Sequence, residues 1–364
     1  MSRIISIGTA VPSYQVKQDD ILDFMQTAYR NEIASRKLNA LFHGSNIQTR
    51  HSVVPDFGKN ETANAVFREG ESPDVEKRLT LFKNNAATLA MDAIGAAFRK
   101  LDSSPEALIV THLITVTCTG LSAPGLDAEL IEQLGLPNDI FHTSVNFSGC
   151  NAAFPAMKIA DLITQTDKNA IVLVVCVELC TIHFQPKITT DHLLSNTIFG
   201  DGAAAMILVS DDYAGRYCQA GLSLKGFYSY LLADGKELMG WNITPAGFEM
   251  ILNARLSALI GKEIAKVIAL AGQKLGIAPV DADYWAVHPG GRKILDIVKT
   301  RLEIEREKIS CSYQVLREYG NMSSPTVLFV LEEIMCSVSP GQTVFAIGFG
   351  PGINVETSLF VYEE

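Results

Sequence analysis

Val145-Asn146-Phe147-Ser148-Gly149-Cys150-Asn151-Ala152-Ala153 joins an apolar, strand-like segment to a helix that reads through Phe154, Met157, Ile159, Leu162 and Ile163. A cysteine heading a buried helix faces unpaired backbone N–H groups and the positive end of the helix dipole. Both favour thiolate over thiol, which makes Cys150 a candidate nucleophile. The competing reading is a small buried residue that fills space, as most free cysteines do.

Working outward, the same rhythm recurs. Downstream, Ala170 to Cys176 is a continuous apolar run, suited to a strand buried on both faces. Phe199-Gly200-Asp201-Gly202-Ala203 reads as a tight turn before a strand from Ala204 to Val209. Upstream, residues 18 to 42 read as one amphipathic helix, with acids early and bases late. Residues 51 to 78 read as a polar surface excursion, followed by a helix from Leu79 to Lys100, a β-rich run from Ala107 to Cys118, and a helix opening near Ala123 and stopping at Gly135. Ser210-Asp211-Asp212-Tyr213-Ala214-Gly215 is the best boundary, dividing the chain into halves 1–210 and 211–364. The second half is expected to run strand (221–229), long helix (248–275), strand (284–288), helices (291–302 and 323–337) and strands (343–348 and 355–361). Strands alternating with helices define an α/β fold whose sheet is covered on both faces.

The 364 residues are 48% hydrophobic and 19% charged, enough apolar side chain for a large core. There is no apolar run long enough to span a membrane and no signal-peptide pattern at the start. A net charge of −10 argues against nucleic acid as a partner. The seven cysteines are scattered, mostly within apolar runs, and imply a reducing cytoplasm. Cys176 and Cys180 are expected on one strand face, and nothing has zinc-ligand spacing, so no metal is expected.

Two further stretches place a reactive residue beside glycines at a strand–helix junction. His288 ends the strand of Tyr284-Trp285-Ala286-Val287 and precedes Pro289-Gly290-Gly291. Asn321 follows Gly320 and opens onto Met322-Ser323-Ser324. Alone, a strand-end histidine is more often structural, and Gly-Asn before a helix is usually a cap. Together, cysteine, histidine and asparagine are a known nucleophilic set. His288 follows Cys150 by 138 residues (288 − 150), which matches papain-like spacing. The papain context is missing, however, since 149 residues of α/β pattern precede the cysteine.

The stretches around Cys150, His288-Pro289-Gly290-Gly291, Gly320-Asn321-Met322-Ser323-Ser324, Phe199-Gly200-Asp201-Gly202-Ala203 and Gly348-Phe349-Gly350-Pro351-Gly352 resemble the type III polyketide synthases, the chalcone synthase-like family. They occur in the family's order from about residue 105 onward, and divergence from the plant pattern suggests a bacterial-type member. The resemblance implies a thiolase-like fold, two similar βαβ halves in a layered α-β-α-β-α architecture, and a homodimer. It implies an acyltransferase that uses acyl-coenzyme A starters and malonyl-coenzyme A as substrates and needs no further cofactor. Cys150 would carry the acyl group, His288 would hold it as thiolate, and His288 with Asn321 would stabilise the malonyl enolate. Phe199 takes the position of a gate phenylalanine, and Gly348 to Gly352 that of the cyclisation loop. The second gate phenylalanine falls on Met250, with Phe248 as the alternative. A methionine that reaches the partner's cavity falls on Ala123, and a cavity threonine near His183, while Ser323 is retained. The smaller Ala123 and flexible Met250 would open room for a long or bulky acyl chain. Lys37 and Arg50 match the coenzyme A segment, with Arg36, Arg292 and Lys293 as compensating cations, and Gly290 and Gly291 would let backbone approach the pantetheine arm. The rivals are a single-round ketoacyl-carrier-protein synthase of the third class and a non-catalytic acyl-coenzyme A binding protein on the same fold.

Overall fold

The computed structural model describes residues 2–58, 66–67, 72–101, 109–216 and 219–364. Cys218, residues 107–108 and part of the expected 51–78 excursion lie outside these. The elements in the first half are β1 (Ser2–Ala10), β2 (Tyr14–Lys17), α1 (Gln18–Tyr29), α2 (Glu32–Ser45), β3 (Thr49–Ser52), α3 (Val75–Arg99), β4 (His112–Thr117), α4 (Leu126–Leu134), β5 (Phe141–Asn146), α5 (Ala153–Thr166), β6 (Ile171–Leu179), α6 (Thr190–Ile198) and β7 (Asp201–Ser210). Then follow α7 (Asp211–Arg216), β8 (Gly221–Leu231), β9 (Met239–Thr244), β10 (Gly247–Leu252), α8 (Leu256–Leu275), β11 (Tyr284–Val287), α9 (Arg292–Arg301), α10 (Ser310–Tyr319), α11 (Thr326–Met335), β12 (Thr343–Gly350) and β13 (Asn354–Glu363).

Nine strands form one sheet in the order β11-β12-β13-β8-β1-β7-β6-β4-β5. Each side of the β1–β8 junction repeats one pattern. The first strand of a half pairs antiparallel with its last (β1 with β7, β8 with β13), and the last pairs antiparallel with the one before (β6, β12). That strand then pairs in parallel with β4 or β11. The junction is short, Arg3 opposite Ser223 and Ile4 opposite Leu222.

Strand alternation sorts the core into layers. Leu173, Val175, Ala205 and Ile207 face a cluster with α1 to α4. Val174, Cys176, Ala204 and Met206 face the opposite way, into a cluster shared by α5, α11, Val344 and Ala346. Phe345, Ile347, Trp285 and Val287 face a third cluster with α8, α9 and α10. The middle helices α5 and α11 are therefore covered by sheet on both sides, which is why Phe154, Met157, Val327, Leu328 and Leu331 are all fully buried. The result is the α-β-α-β-α layering.

Several local expectations are corrected. Residues 18–42 are two helices, because Arg30 adopts a left-handed conformation (φ 46°) and Asn31 caps α2 by accepting from Ala34 N. The segment 248–275 is a hairpin strand, β10, paired with β9, before α8 starts at Leu256. Helices α6 and α10 were not anticipated. Phe199 ends α6 and bridges to Asn321 rather than turning tightly. Cys180 lies beyond β6 in a short 3-10 turn, so Cys176 and Cys180 share no strand face.

Candidate active site

The three reactive residues converge on one cavity wall. Cys150 sits in the turn between β5 and α5, three residues before the helix starts rather than at its head. The turn is tight: Gly149 has φ +83°, and a Cβ there would lie 2.1 Å from Pro351 Cδ. His288 leaves β11 and still donates its N–H to Ile347 O of β12 at 2.8 Å. Asn321 follows α10, with Asn321 N to Ile198 O at 2.9 Å and Gly200 N to Asn321 O at 3.0 Å. Cys150, His288 and Asn321 line a common cavity with Phe199, Met250, Gly290, Ile294 and Phe349.

The orientation of Asn321 follows from its partners. Its Oδ1 accepts from Ser323 N at 2.8 Å, which leaves the Nδ2 hydrogens for the cavity. The Cys150 thiol is hydrogen-bonded by the Ser323 and Asn321 side chains. Ser323 is a non-glycine residue held left-handed (φ 61°), as are Phe147 (φ 57°) and Ile353 (φ 56°) on neighbouring loops. Strain of this kind persists where surrounding contacts over-determine the backbone, typically at functional sites.

Electrostatics correct one expectation. Burial pushes the Cys150 thiol up to about 11, outweighing the Ser323 and Asn321 hydrogen bonds. Burial also pushes His288 down to about 3. Neither ring nitrogen of His288 has a hydrogen-bond partner in the protein. Burial thus favours thiol and neutral imidazole over thiolate and imidazolium. With both ring nitrogens unpartnered at the cavity wall, His288 is able to donate to, or accept from, a bound molecule.

A second, larger and mainly apolar cavity also reaches Cys150. Its wall includes Cys118, Gly149, His183, Phe199, Met239, Trp241, Phe248, Met250, Ser323 and Pro351. Phe199 and Met250 line both cavities, so they stand at the partition between them. Phe248 lines only the apolar one, is fully buried, and stacks on His183 with ring centroids 4.3 Å apart. His183 is bound on both nitrogens, Nε2 to Thr119 O at 2.8 Å and Nδ1 to Phe248 N at 3.2 Å, and burial lowers it to about 3. It is a neutral wall residue.

Other sequence candidates fall elsewhere. Ala123 is exposed and lines neither cavity. Lys37, Arg36, Arg292 and Lys293 are exposed, on α2 and α9, which touch one another. Arg50 is only 4% exposed, which removes it from a solvent-side phosphate site. Its guanidinium donates to Gln18 Oε1 (2.9 Å), Asn196 O (2.9 Å) and Phe199 O (2.6 Å), bracing the segment that bridges to Asn321. Gly348 and Gly350 end β12, and Gly352 (φ +69°) sits in the following turn. A Cβ on Gly350 would meet Asn151 Oδ1 at 2.1 Å, so this glycine lets β12 press against the nucleophile's turn.

Sequence reasoning missed Glu178 and Trp241. Glu178 is fully buried in β6 and accepts from Cys118 N (2.9 Å), Thr119 Oγ1 (2.8 Å) and Ser324 Oγ (2.7 Å). Burial raises its pKa despite those bonds. An acid inside a wholly apolar strand was the available signal. Trp241 Nε1 donates to Cys118 O at 2.7 Å and ties the β9–β10 hairpin to the same loop.

Two halves of one topology, with cysteine, histidine and asparagine in the loops at strand and helix ends on a shared cavity, define a condensing enzyme of the thiolase-like fold. Residues 1–212 match the family model described as chalcone and stilbene synthases, N-terminal domain, and residues 225–362 match its C-terminal counterpart. The chain belongs to the chalcone and stilbene synthase family and is a type III polyketide synthase, an acyltransferase. It is similar to the alpha-pyrone synthesis polyketide synthase-like Pks18 of Mycobacterium tuberculosis, with 29% identity over 98% of this chain and 90% of that protein. Among solved structures it is similar to PKS-I from the brown alga Ectocarpus siliculosus (TM-score 0.92, 28% identity, 99% of this chain and 98% of that one). It is also similar to 1,3,6,8-tetrahydroxynaphthalene synthase from Streptomyces coelicolor (TM-score 0.86, 27% identity, 100% and 99%).

Proposed function

We propose that Cys150 takes an acyl group from a coenzyme A starter and that the enzyme extends it by repeated decarboxylative condensation with malonyl-coenzyme A, closing the product to a resorcinol, pyrone or similar ring. The observation that carries this is the placement of Cys150, His288 and Asn321 on one cavity wall, with the Asn321 amide turned to the Cys150 thiol, beside which the thioester oxygen would lie. His288 and Asn321 donate to the thioester oxygen of malonyl-coenzyme A. As carbon dioxide leaves, charge grows on that oxygen, where preorganised donors in a water-poor cavity are most effective. The enolate carbon attacks the acyl-Cys150 carbonyl, and the cysteine leaves as thiolate. When the starter loads, His288 takes the Cys150 thiol proton and passes it to the departing coenzyme A sulfur. After each condensation the Cys150 thiolate attacks the thioester of the extended chain directly, and coenzyme A leaves as its thiolate. No cofactor beyond the thioester substrates takes part.

Phe199 and Met250 form the partition between the coenzyme A side and the apolar cavity that receives the chain. The apolar cavity favours a long or bulky starter. Gly290, Gly291 and the exposed cations Lys37, Arg36, Arg292 and Lys293 serve the coenzyme A arm. The working form is a homodimer in the cytoplasm. Two features favour this: β5 is an exposed edge strand with Phe141 52% exposed, and the six described cysteines are free thiols. No described helix is long and apolar enough to cross a membrane.

The test is product analysis by mass spectrometry with malonyl-coenzyme A, a panel of starters, and the wild type against Cys150→Ser. Cysteine-dependent products longer by two or more acetate units are expected. Addition of one unit only would favour the single-round ketoacyl synthase, and no cysteine-dependent product would overturn the condensing reading.

A further inference from the structure

The apolar cavity has a wall built by elements that carry none of the catalytic residues. Val16 of β2, Ile21 and Met25 of α1, Phe57 and Phe184 supply its apolar surface. Arg50 and His192 are among its polar groups, with His51, Ser52, Ser195 and Asn196.

Arg50 and His192 each hold an unused nitrogen. Arg50 commits Nε to Gln18 and Nη1 to two backbone carbonyls, and its buried Nη2 has no partner. His192 lies in the first turn of α6, and its Nε2 is likewise buried and unpartnered. Thr189 Oγ1 accepts from His192 N at 3.3 Å and lies 2.7 Å from His192 Nδ1. Its one hydroxyl hydrogen can go to Nδ1, and the imidazole proton is on that ground assigned to Nε2 as a second donor. Buried donors are almost always paired, and an unpaired one at a cavity wall is a place where a bound molecule gains what water would otherwise provide.

The charge around these donors narrows the partner. Asp201 acts on the Arg50 cation through space, and His192 feels Glu249, Lys187 and Asp191, of which Lys187 is paired with Glu249. Cations here are thus already matched by carboxylates, so an anion finds no spare positive charge, whereas a neutral oxygen acceptor needs none. Burial lowers the His192 pKa, so it donates as a neutral ring.

We propose that the starter is an oxygenated acyl group, with an apolar body against Phe57, Phe184, Ile21 and Met25, and a neutral hydroxyl, carbonyl or ether oxygen remote from the thioester that accepts from Arg50 Nη2 and His192 Nε2. This rests on the reading of Cys150 as the acyl-carrying nucleophile and names the substrate class for that site.

The experiment compares ω-hydroxyalkanoyl-coenzyme A with alkanoyl-coenzyme A of equal chain length, each with malonyl-coenzyme A. The readout is the ratio of kcat/KM for the pair. The wild type is expected to prefer the hydroxylated starter by about ten-fold or more, because a site with unpaired donors rejects the analogue that cannot pair them. His192→Leu is expected to bring the ratio close to one. Arg50→Lys should also lower the ratio, but Arg50 braces Phe199, so His192→Leu is the deciding variant. Equal or reversed preference in the wild type overturns the proposal, as it would mean the donors are served by water. A His192→Leu enzyme that slows both starters equally also overturns it, because that is a structural role. If neither aliphatic starter is extended but an aromatic one is, this inference falls and the polyketide reading stands. If no starter gives Cys150-dependent product, both fall.

Discussion

Charging the buried Cys150 sulfur costs more than two neutral hydrogen bonds return, and charging the buried His288 costs likewise. With the thiol raised to about 11 and the imidazole lowered to about 3, the resting enzyme holds little thiolate at neutral pH. The sign is fixed: a raised thiol pKa means less thiolate at any given pH, and the nucleophile emerges only as pH rises. Alkylation of Cys150 by iodoacetamide, followed by peptide mapping, is therefore expected to accelerate continuously from pH 7 through pH 9, while the exposed Cys336 supplies a reference thiol. A plateau already reached at pH 7 would instead show a preformed thiolate–imidazolium pair. Two neighbours separate by the same residue-level logic. Met250 borders both cavities and Phe248 only one. Met250→Phe should shift product toward shorter starters with little change in melting temperature. Phe248→Leu should cost about 1 kcal/mol through the lost stack on His183 and leave the product profile in place. A Phe248→Leu enzyme with altered starter preference and unaltered stability would reverse the assignment.

The elements that hold the site do so through close backbone approach. The turn between β5 and α5 meets the end of β12 where Gly149 packs on Pro351 and Gly350 packs on Asn151. Gly149→Ala must place a Cβ on a left-handed residue and against a proline ring, costing about 1–3 kcal/mol for the backbone before the overlap is relieved. Denaturant unfolding of Gly149→Ala should show that loss, together with a condensation rate that falls further than the folded fraction does. Gly215→Ala, with nothing within 4 Å of the added methyl, is the control and should unfold like the wild type. The same elements explain what the sequence could tell. Strands β6 and β12 are legible as unbroken apolar runs because both faces are covered by helices. The pairing of Cys150, His288 and Asn321 was legible because each stands at a strand or helix end marked by glycine. Helix α6 was not, since nine residues carry a weak period and its packing against α2 and β10 decides its form. The break at Arg30 carries neither glycine nor proline, and only the cap residue Asn31 hinted at it. Arg50 was misread because a basic residue in the right segment says nothing about which way its guanidinium turns. Its carbonyl partners, Asn196 and Phe199, lie about 150 residues away, a separation no local pattern encodes.

At the scale of the whole molecule, the sheet ends at β5, and that edge is left uncovered. Phe141 and His142 are exposed, and alternate residues of the strand remain so through Asn146. A bare edge strand offers unpaired backbone groups to another chain, and proteins blunt such edges unless they use them. The nucleophile's turn begins at Phe147, directly after this strand, so whatever pairs with β5 also braces Cys150. Dimerisation through β5 would therefore be part of the catalytic apparatus and not only a gain in stability. Replacing Phe141 by lysine removes the largest exposed apolar side chain of that edge and puts in its place a charge that association would have to bury. Phe141→Lys is expected to sediment as a monomer at concentrations where the wild type is a dimer. Its condensation rate should fall by more than ten-fold even though Phe141 lines neither cavity. Raising the protein concentration should restore both the dimer and the rate in parallel, because association and bracing are one event. A Phe141→Lys enzyme that stays dimeric would place the interface elsewhere on the surface. A monomer with full activity would show that β5 holds the Cys150 turn without help from a second chain.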